Sequence, residues 1–239
     1  MQTINLRTLR LEDRHRLLDI GCGAGRHLHA ACHHATCHAI GLDYGENNLH
    51  TTRAGFSDTT NNYSLLAGNA LTLPFPDACF DRIICSEVLE HIPNYRLALY
   101  EIGRVLKPGG ALAISVPRYW PEWLCWALSR DYSNEPGGHV RIFKTKVLRQ
   151  AVEEQGLVYF HRHWAHGLHS PYWWIRCALG LDNTQTWLIR TYHRFLVWDM
   201  MKRPWLTCVL SWLADPLMGK SLVLYFVRGK KYPMPTARS

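Results

Sequence analysis

Three glycines at alternate positions, Gly21, Gly23 and Gly25, follow the apolar run Leu17-Leu18-Asp19-Ile20. Such a turn removes the Cβ atoms that would hold a ligand off the backbone, and a helix opening behind it presents unpaired N–H groups. The chemistry this suits is a nucleotide-like ligand lying against main chain. The spacing is G-x-G-x-G, not the G-x-G-x-x-G that aims a helix N-terminus at a pyrophosphate. A second acid, Asp43, ends the next apolar run, His38-Ala39-Ile40-Gly41-Leu42, and a carboxylate there can accept two hydrogen bonds from a diol. Farther along, Ser86, Glu87, Glu90 and His91 fall within Phe80–Ile92, and His139 lies in Pro136-Gly137-Gly138-His139-Val140-Arg141. Imidazole exchanges protons near neutral pH, so either histidine can serve as a general base, or both can be structural. Glu87 and Glu90 are weaker candidates.

Two histidine-rich clusters raise the question of a metal. One is Cys32-His33-His34 with Cys37-His38; the other is His161, His163, His166 and His169. Zinc needs ligands that converge tetrahedrally. The first cluster spreads around a helix, and in the second only His161 and His163 share a strand face. Neither is assigned a metal.

The elements that must position these residues alternate. Short apolar strands are expected at 16–21, 38–43, 63–67, 80–86 and 111–116, with helices over Ala24–Ala35, Glu46–Ala54 and Asn94–Leu106. Lys107-Pro108-Gly109-Gly110 stops the third helix. A helix over Thr145–Gln155 ends at Gly156 and feeds a strand over Leu157–Trp164, and a last strand spans Ser221–Arg228. Strand–helix alternation implies a parallel sheet covered on both faces, with ligands at the carboxyl ends of its strands.

The ordered set of the glycine turn, Asp43, Ser86-Glu87-Val88-Leu89-Glu90-His91-Ile92 and Leu106-Lys107-Pro108-Gly109-Gly110 resembles the class I S-adenosylmethionine-dependent methyltransferases. Within them it is most similar to the type 11 group, which includes quinone-biosynthesis C-methyltransferases. The resemblance spans roughly residues 14–160. It implies an α/β, Rossmann-like, doubly wound and mostly parallel seven-stranded sheet, with S-adenosylmethionine as cofactor. It also implies the site residues. Asp19 would lie near the ligand's ammonium end, Gly21, Cys22, Gly23 and Gly25 under its aminocarboxypropyl and ribose parts, and Asp43 with Tyr44 at the ribose. Asn69 and Ala70 would stand at the adenine, where the family usually has Gly-Asp-Ala, and Ser86 would flank the cofactor. By the same likeness His91 faces the site and His139 sits in a loop that roofs the acceptor.

One departure stands out. The last two strands of the family form a compact hairpin, but here residues 165–220 separate them. Helical spacing at Leu188, Tyr192, Phe195 and Leu196, and a second helix over Trp205–Ala214 ended by Asp215-Pro216, read as a helical cap over the substrate side. The expected organisation is therefore a cofactor domain (1–164), the cap (165–220), and the final strand with a frayed tail from Tyr232 (221–239).

Composition narrows the partners. The chain has 239 residues, 47% hydrophobic, enough for one sizeable α/β core. Met1–Arg16 is polar and basic without an apolar run, and no stretch of about 18 uncharged apolar residues occurs. Eight cysteines without framework spacing suit reduced, buried thiols, so a cytoplasmic location is expected. Residues 1–164 carry 17 basic and 16 acidic side chains, whereas residues 165–239 carry 10 and 3, with six of the ten tryptophans. A basic, tryptophan-rich third favours anionic partners, including lipid headgroups at a membrane surface. The expected activity is methyl transfer to a small-molecule or lipid-like acceptor, anionic or isoprenoid. The rivals are a non-catalytic cofactor-binding scaffold, a nicotinamide oxidoreductase and a nucleic-acid methyltransferase. The glycine spacing opposes the oxidoreductase. Ser86-Glu87-Val88-Leu89, standing where base-modifying relatives carry Asn-Pro-Pro-Tyr, opposes the nucleic-acid enzyme.

Overall fold

A computed structural model describes residues 2–56, 62–134, 138–183 and 185–229. Pro136, Gly137 and the tail from Tyr232 lie outside them. The elements run β1 (Arg16–Ile20), α1 (Arg26–His34), β2 (His38–Asp43), α2 (Glu46–Gly55), β3 (Tyr63–Ala67), β4 (Phe80–Ser86), α3 (Tyr95–Val105) and β5 (Leu106–Pro117). There follow α4 (Tyr119–Leu128), α5 (Arg130–Ser133), α6 (Thr145–Glu153), β6 (Leu157–Ala165), α7 (Ser170–Leu179), α8 (Trp187–Lys202), α9 (Trp205–Met218) and β7 (Ser221–Arg228). The seven strands form one sheet in the order β3-β2-β1-β4-β5-β7-β6. β7 runs against the other six strands, pairing antiparallel with β5 and with β6. The order reverses between β1 and β4, where a doubly wound sheet opens its ligand crevice.

Alternation along the strands builds two cores. Leu18 and Ile20 of β1 and Leu222, Leu224 and Phe226 of β7 face α3 and α6. Leu17, Val223 and Tyr225 face the opposite way, onto α1 and the N-terminal segment. Both faces are covered, so β7 reads as a continuous apolar run.

Several expected boundaries shift for physical reasons. β1 stops at Ile20 because Gly21 takes a left-handed backbone, φ 68°. The Lys107–Gly110 segment does not separate helix from strand. β5 starts at Leu106 and passes through it, and a register shift against Phe80–Arg82 absorbs the irregularity. α4 goes unanticipated because Tyr-Trp-Pro-Glu-Trp-Leu-Cys-Trp-Ala-Leu is apolar nearly all round and shows no helical stripe. Pro216 does not end α9, which continues to Met218. A proline in the last turn forfeits one backbone bond; here Arg118 Nη1 donates to the carbonyls of Asp215 (3.3 Å) and Pro216 (3.0 Å). The N-terminal segment is not a polar tail. Ile4, Leu6, Leu9 and Leu11 are each buried, although too scattered to form a run. All eight cysteines are free thiols, and Cys208 is exposed rather than buried.

Candidate active site

The glycine turn leaves the carboxyl end of β1 and enters α1, with all three glycines in the left-handed region. Each has a different reason. A Cβ on Gly21 would stand 2.3 Å from Val88 Cγ2, and one on Gly25 would stand 2.5 Å from Thr52 Cγ2. Those two glycines serve packing. A Cβ on Gly23 would meet nothing within 4 Å, so this position faces open space where a ligand can lie against the backbone. The turn is braced from below, since Thr52 Oγ1 donates to the Gly23 carbonyl at 2.7 Å and the Gly23 N–H donates to Asp43 Oδ2 at 2.8 Å.

Asp43 thus has a second duty that sequence does not reveal. Its Oδ1 accepts from the Gly45 N–H and from Asn48 Nδ2, both at 2.9 Å. Three of the roughly four acceptor positions of the carboxylate are spent on shaping the crevice. Asp19 is the opposite case. It is buried toward the end of β1, and no side chain hydrogen-bonds either oxygen. Burial raises its carboxyl to about 7; Arg26 and the Leu28 N–H oppose the shift, and Asp43 adds to it. This buried acid, with no side-chain hydrogen bond, stands two residues before the open glycine turn.

The remaining cofactor-side residues line the same sheet edge with differing exposure. Cys22 turns its sulfur inward against Gly41, and burial raises the thiol to about 12, leaving only backbone to a ligand. Tyr44 is exposed and Ala70 buried. Asn69 Oδ1 already accepts from the Leu71 N–H at 2.9 Å, which stiffens the turn after β3. Ser86 bonds its hydroxyl to that of Ser115 at 2.8 Å, so it meets a ligand through backbone.

Past β4 the titratable groups gather. Glu87 is a non-glycine residue at φ 56°, a strained conformation. Two bonds to Ser115 hold it there, N–H to carbonyl at 2.9 Å and Ser115 Oγ to Glu87 Oε1 at 2.8 Å. His139 Nδ1 donates to Glu122 Oε1 at 2.6 Å, and Tyr132 donates its hydroxyl to Glu122 Oε2 at 3.3 Å. Held through Nδ1, the imidazole presents Nε2 as an acceptor, the arrangement of an oriented general base. His91 lies edge-on to His139, ring centroids 5.0 Å apart, with Nδ1 3.1 Å from the Gly138 carbonyl. Glu90 is buried with both oxygens unpartnered, and burial, then Glu87, raise its carboxyl far above the usual range. Both histidines singled out by sequence lie in this cluster; Glu122 of α4 and Tyr132 of α5, which join it, lie in helices with no readable pattern.

The cap reaches this cluster, with Trp173 of α7 lying 5.8 Å from the Tyr132 ring. A separate cleft of about 520 Å³ opens between the start of α1 and α8–α9, lined by Arg26, His166, His169, Met200, Arg203 and Trp212. Two histidines of the second cluster, and His27 outside both clusters, meet the N-terminal segment. His163 Nε2 and His166 Nε2 contact Thr3 (3.1 and 2.9 Å), and His27 Nε2 accepts from the Thr3 N–H at 3.4 Å, clasping the N-terminal segment. Burial lowers His27 and His166 to about 3, so both are neutral acceptors or donors. Among the described residues, the three potential metal ligands that converge are instead Glu90, His91 and His139, within 4.8 Å of one another.

Comparison with known proteins bears on the domain and the fold. Residues 18–114 match the family model described as a methyltransferase domain. The chain is 34% identical over 127 residues to a 24-methylenesterol C-methyltransferase 2 of Oryza sativa subsp. japonica, covering 51% of this chain and 32% of that protein. It is 44% identical over 77 residues to a demethylmenaquinone methyltransferase of Listeria monocytogenes serotype 4a, covering 32% of each. The matches thus span about a third of the length of these two curated relatives. Among solved structures, the YcgJ protein of Bacillus subtilis superposes with a TM-score of 0.63 at 21% identity, over 94% of this chain and 96% of that one, which is a likeness of fold. The glycine turn and both strand-end acids, Asp19 and Asp43, lie within residues 18–114, so the part of the chain that builds the crevice is the part similar to a methyltransferase domain.

Proposed function

We propose that the protein transfers a methyl group from S-adenosylmethionine to a lipid-like acceptor. The observation that carries the reading is the open face of Gly23, with the buried Asp19 carboxyl, free of side-chain hydrogen bonds, just ahead of it. S-adenosylmethionine, when bound, supplies a methyl carbon activated by a sulfonium. The chain's own residues do the rest. The turn around Gly23 binds through main chain, Asp19 meets the ammonium end, and the remaining acceptor capacity of Asp43 meets the ribose. His139, oriented by Glu122, takes the proton that the acceptor gives up. Two relatives are named for sterol and menaquinone-precursor substrates, which supports a lipid-like acceptor. Trp173 of α7, 5.8 Å from the Tyr132 ring beside His139, offers apolar contact area to such an acceptor. The test is to incubate the full chain with methyl-labelled S-adenosylmethionine and a total lipid extract. Label in an organic-phase product is the expected result; label that never leaves the aqueous phase overturns the lipid acceptor.

Two further results are expected at the cofactor. The native state holds on Asp19 a proton that the unfolded chain loses above its ordinary value of 3.8. This group's contribution therefore falls as pH rises from that value to about 7, and Asp19→Asn flattens the stability curve across that window. A cationic ligand selects the ionised acid, so S-adenosylmethionine affinity rises between about pH 6 and about pH 8 in the parent and stays flat in Asp19→Asn. Calorimetric titration at the two pH values checks it. Asp43→Ala weakens cofactor binding by about 1.5–3 kcal/mol. It also lowers the melting temperature, because the Gly23 N–H loses its acceptor; unchanged affinity would remove Asp43 from the site.

A further inference from the structure

The two helices α8 and α9 each carry an apolar stripe left exposed among the described residues. On α9, Trp205, Val209 and Trp212 recur at helical spacing, and Leu206, Leu210, Leu213 and Leu217 run beside them. All of these side chains are exposed. At 100° per residue the two stripes together span about 160° of the helix surface. On α8 a single stripe interleaves Trp187, Arg190, Arg194, Trp198 and Met201, at spacings of three or four residues, again all exposed. Trp187, Trp205 and Trp212 are 76%, 77% and 74% exposed, which is far from the state of core tryptophans.

Charge decides what covers this face. Every exposed Lys, Arg, Asp or Glu in 187–218 is cationic: Arg190, Arg194, Lys202 and Arg203. The two acids of the pair, Asp199 and Asp215, are half-buried, and Asp215 accepts from the Gly167 N–H at 2.6 Å. Indole rings prefer the boundary between headgroups and acyl chains, and arginine can bury its stem while its head reaches phosphate. At 16 and 14 residues, α8 and α9 are about 24 and 21 Å long, too short to cross a bilayer. No helix among the described residues is long and apolar enough to do so.

We propose that α8 and α9 form an interfacial helix pair that docks the protein on an anionic phospholipid surface, tryptophans and leucines in the headgroup–acyl boundary and the four cations on lipid phosphates. The docking stands on this face alone and does not require methyl transfer. If both hold, docking brings the rim of the cleft, at Met200, Arg203 and Trp212, to the layer that stores lipid-like acceptors.

The test uses the full chain in flotation with unilamellar vesicles of phosphatidylglycerol and phosphatidylcholine, or of phosphatidylcholine alone, at about 50 and about 500 mM salt. Binding should be about tenfold or more stronger on the anionic vesicles and should weaken by a similar factor at high salt. Trp205→Ser/Leu217→Ser and Arg190→Glu/Arg194→Glu should each lower binding about tenfold or more, with melting temperature and S-adenosylmethionine affinity unchanged. Absent binding to anionic vesicles, equal binding to neutral ones, or parental binding by both double variants overturns the proposal. So does self-association that the Trp205→Ser/Leu217→Ser variant abolishes while vesicles are ignored, since the occupant is then a second copy. Vesicle binding without methyl transfer to any lipid sinks the enzymatic reading and leaves the docking; transfer without vesicle binding does the reverse.

Discussion

Replacing His139 with alanine lowers turnover about 10²–10⁴-fold at saturating acceptor, the usual worth of a positioned general base, and leaves S-adenosylmethionine affinity unchanged. The expectation rests on how the ring is held. Glu122, almost wholly buried, takes Nδ1 at 2.6 Å and is itself met by the Tyr132 hydroxyl. That pairing fixes which nitrogen is available and where it points. Glu122 acts through His139 and is a positioning residue, so Glu122→Gln should lower kcat while KM for the acceptor stays near its parental value. His91 is exposed and contacts the Gly138 carbonyl instead, so His91→Ala should cost less than His139→Ala. Full turnover in His139→Ala would show that alignment alone drives the reaction. A loss confined to KM would make the histidine an acceptor contact instead.

Gly23→Val should lower S-adenosylmethionine affinity more than about 100-fold while the protein still folds. Open space surrounds the added side chain in the free protein, so the bulk meets nothing until a ligand arrives. A left-handed β-branched residue also strains the turn, by about 1–3 kcal/mol. Gly21→Ala makes the informative contrast. Its Cβ collides with Val88 whether or not a ligand is bound, so the melting temperature falls first and affinity follows. Calorimetry and thermal unfolding on the two variants separate a ligand cradle from a packing glycine. Parental affinity in Gly23→Val would move the ligand elsewhere.

β2, β4 and β7 were readable because burial on both faces writes them as short apolar runs, whereas the edge strand β3 is largely exposed and read from its composition alone. The expected spans of β2, β3, β4 and β7 coincide with those observed. What escaped the sequence lies where period and burial part company. α4 is apolar on nearly every side, and the N-terminal plug uses four isolated side chains. The candidate residues in the glycine turn, at the end of β2 and at the two histidines announce themselves by type and place. Glu122, Tyr132 and Thr52 do not, because each acts on a partner distant in sequence: His139, Glu122 and Gly23. The second duty of Asp43, shaping the turn it was expected only to face, is invisible for the same reason.

The antiparallel register of β6 and β7 places Ala165 directly opposite Ser221, the two residues between which the chain departs into the cap and returns. Topologically, the whole helical excursion is the loop of a β-hairpin, its two ends one strand spacing apart. The entropy of closing such a loop grows only with the logarithm of its length, about 0.6 kcal/mol for each doubling. The sheet is thus nearly indifferent to what is strung between those residues. A cap of another size or chemistry could be exchanged there without disturbing β1, β2 or β4, and acceptor preference could diverge while the methyl-donor crevice stays as it is. Grafting at 165/221 is accordingly the natural route to chimaeras in this fold.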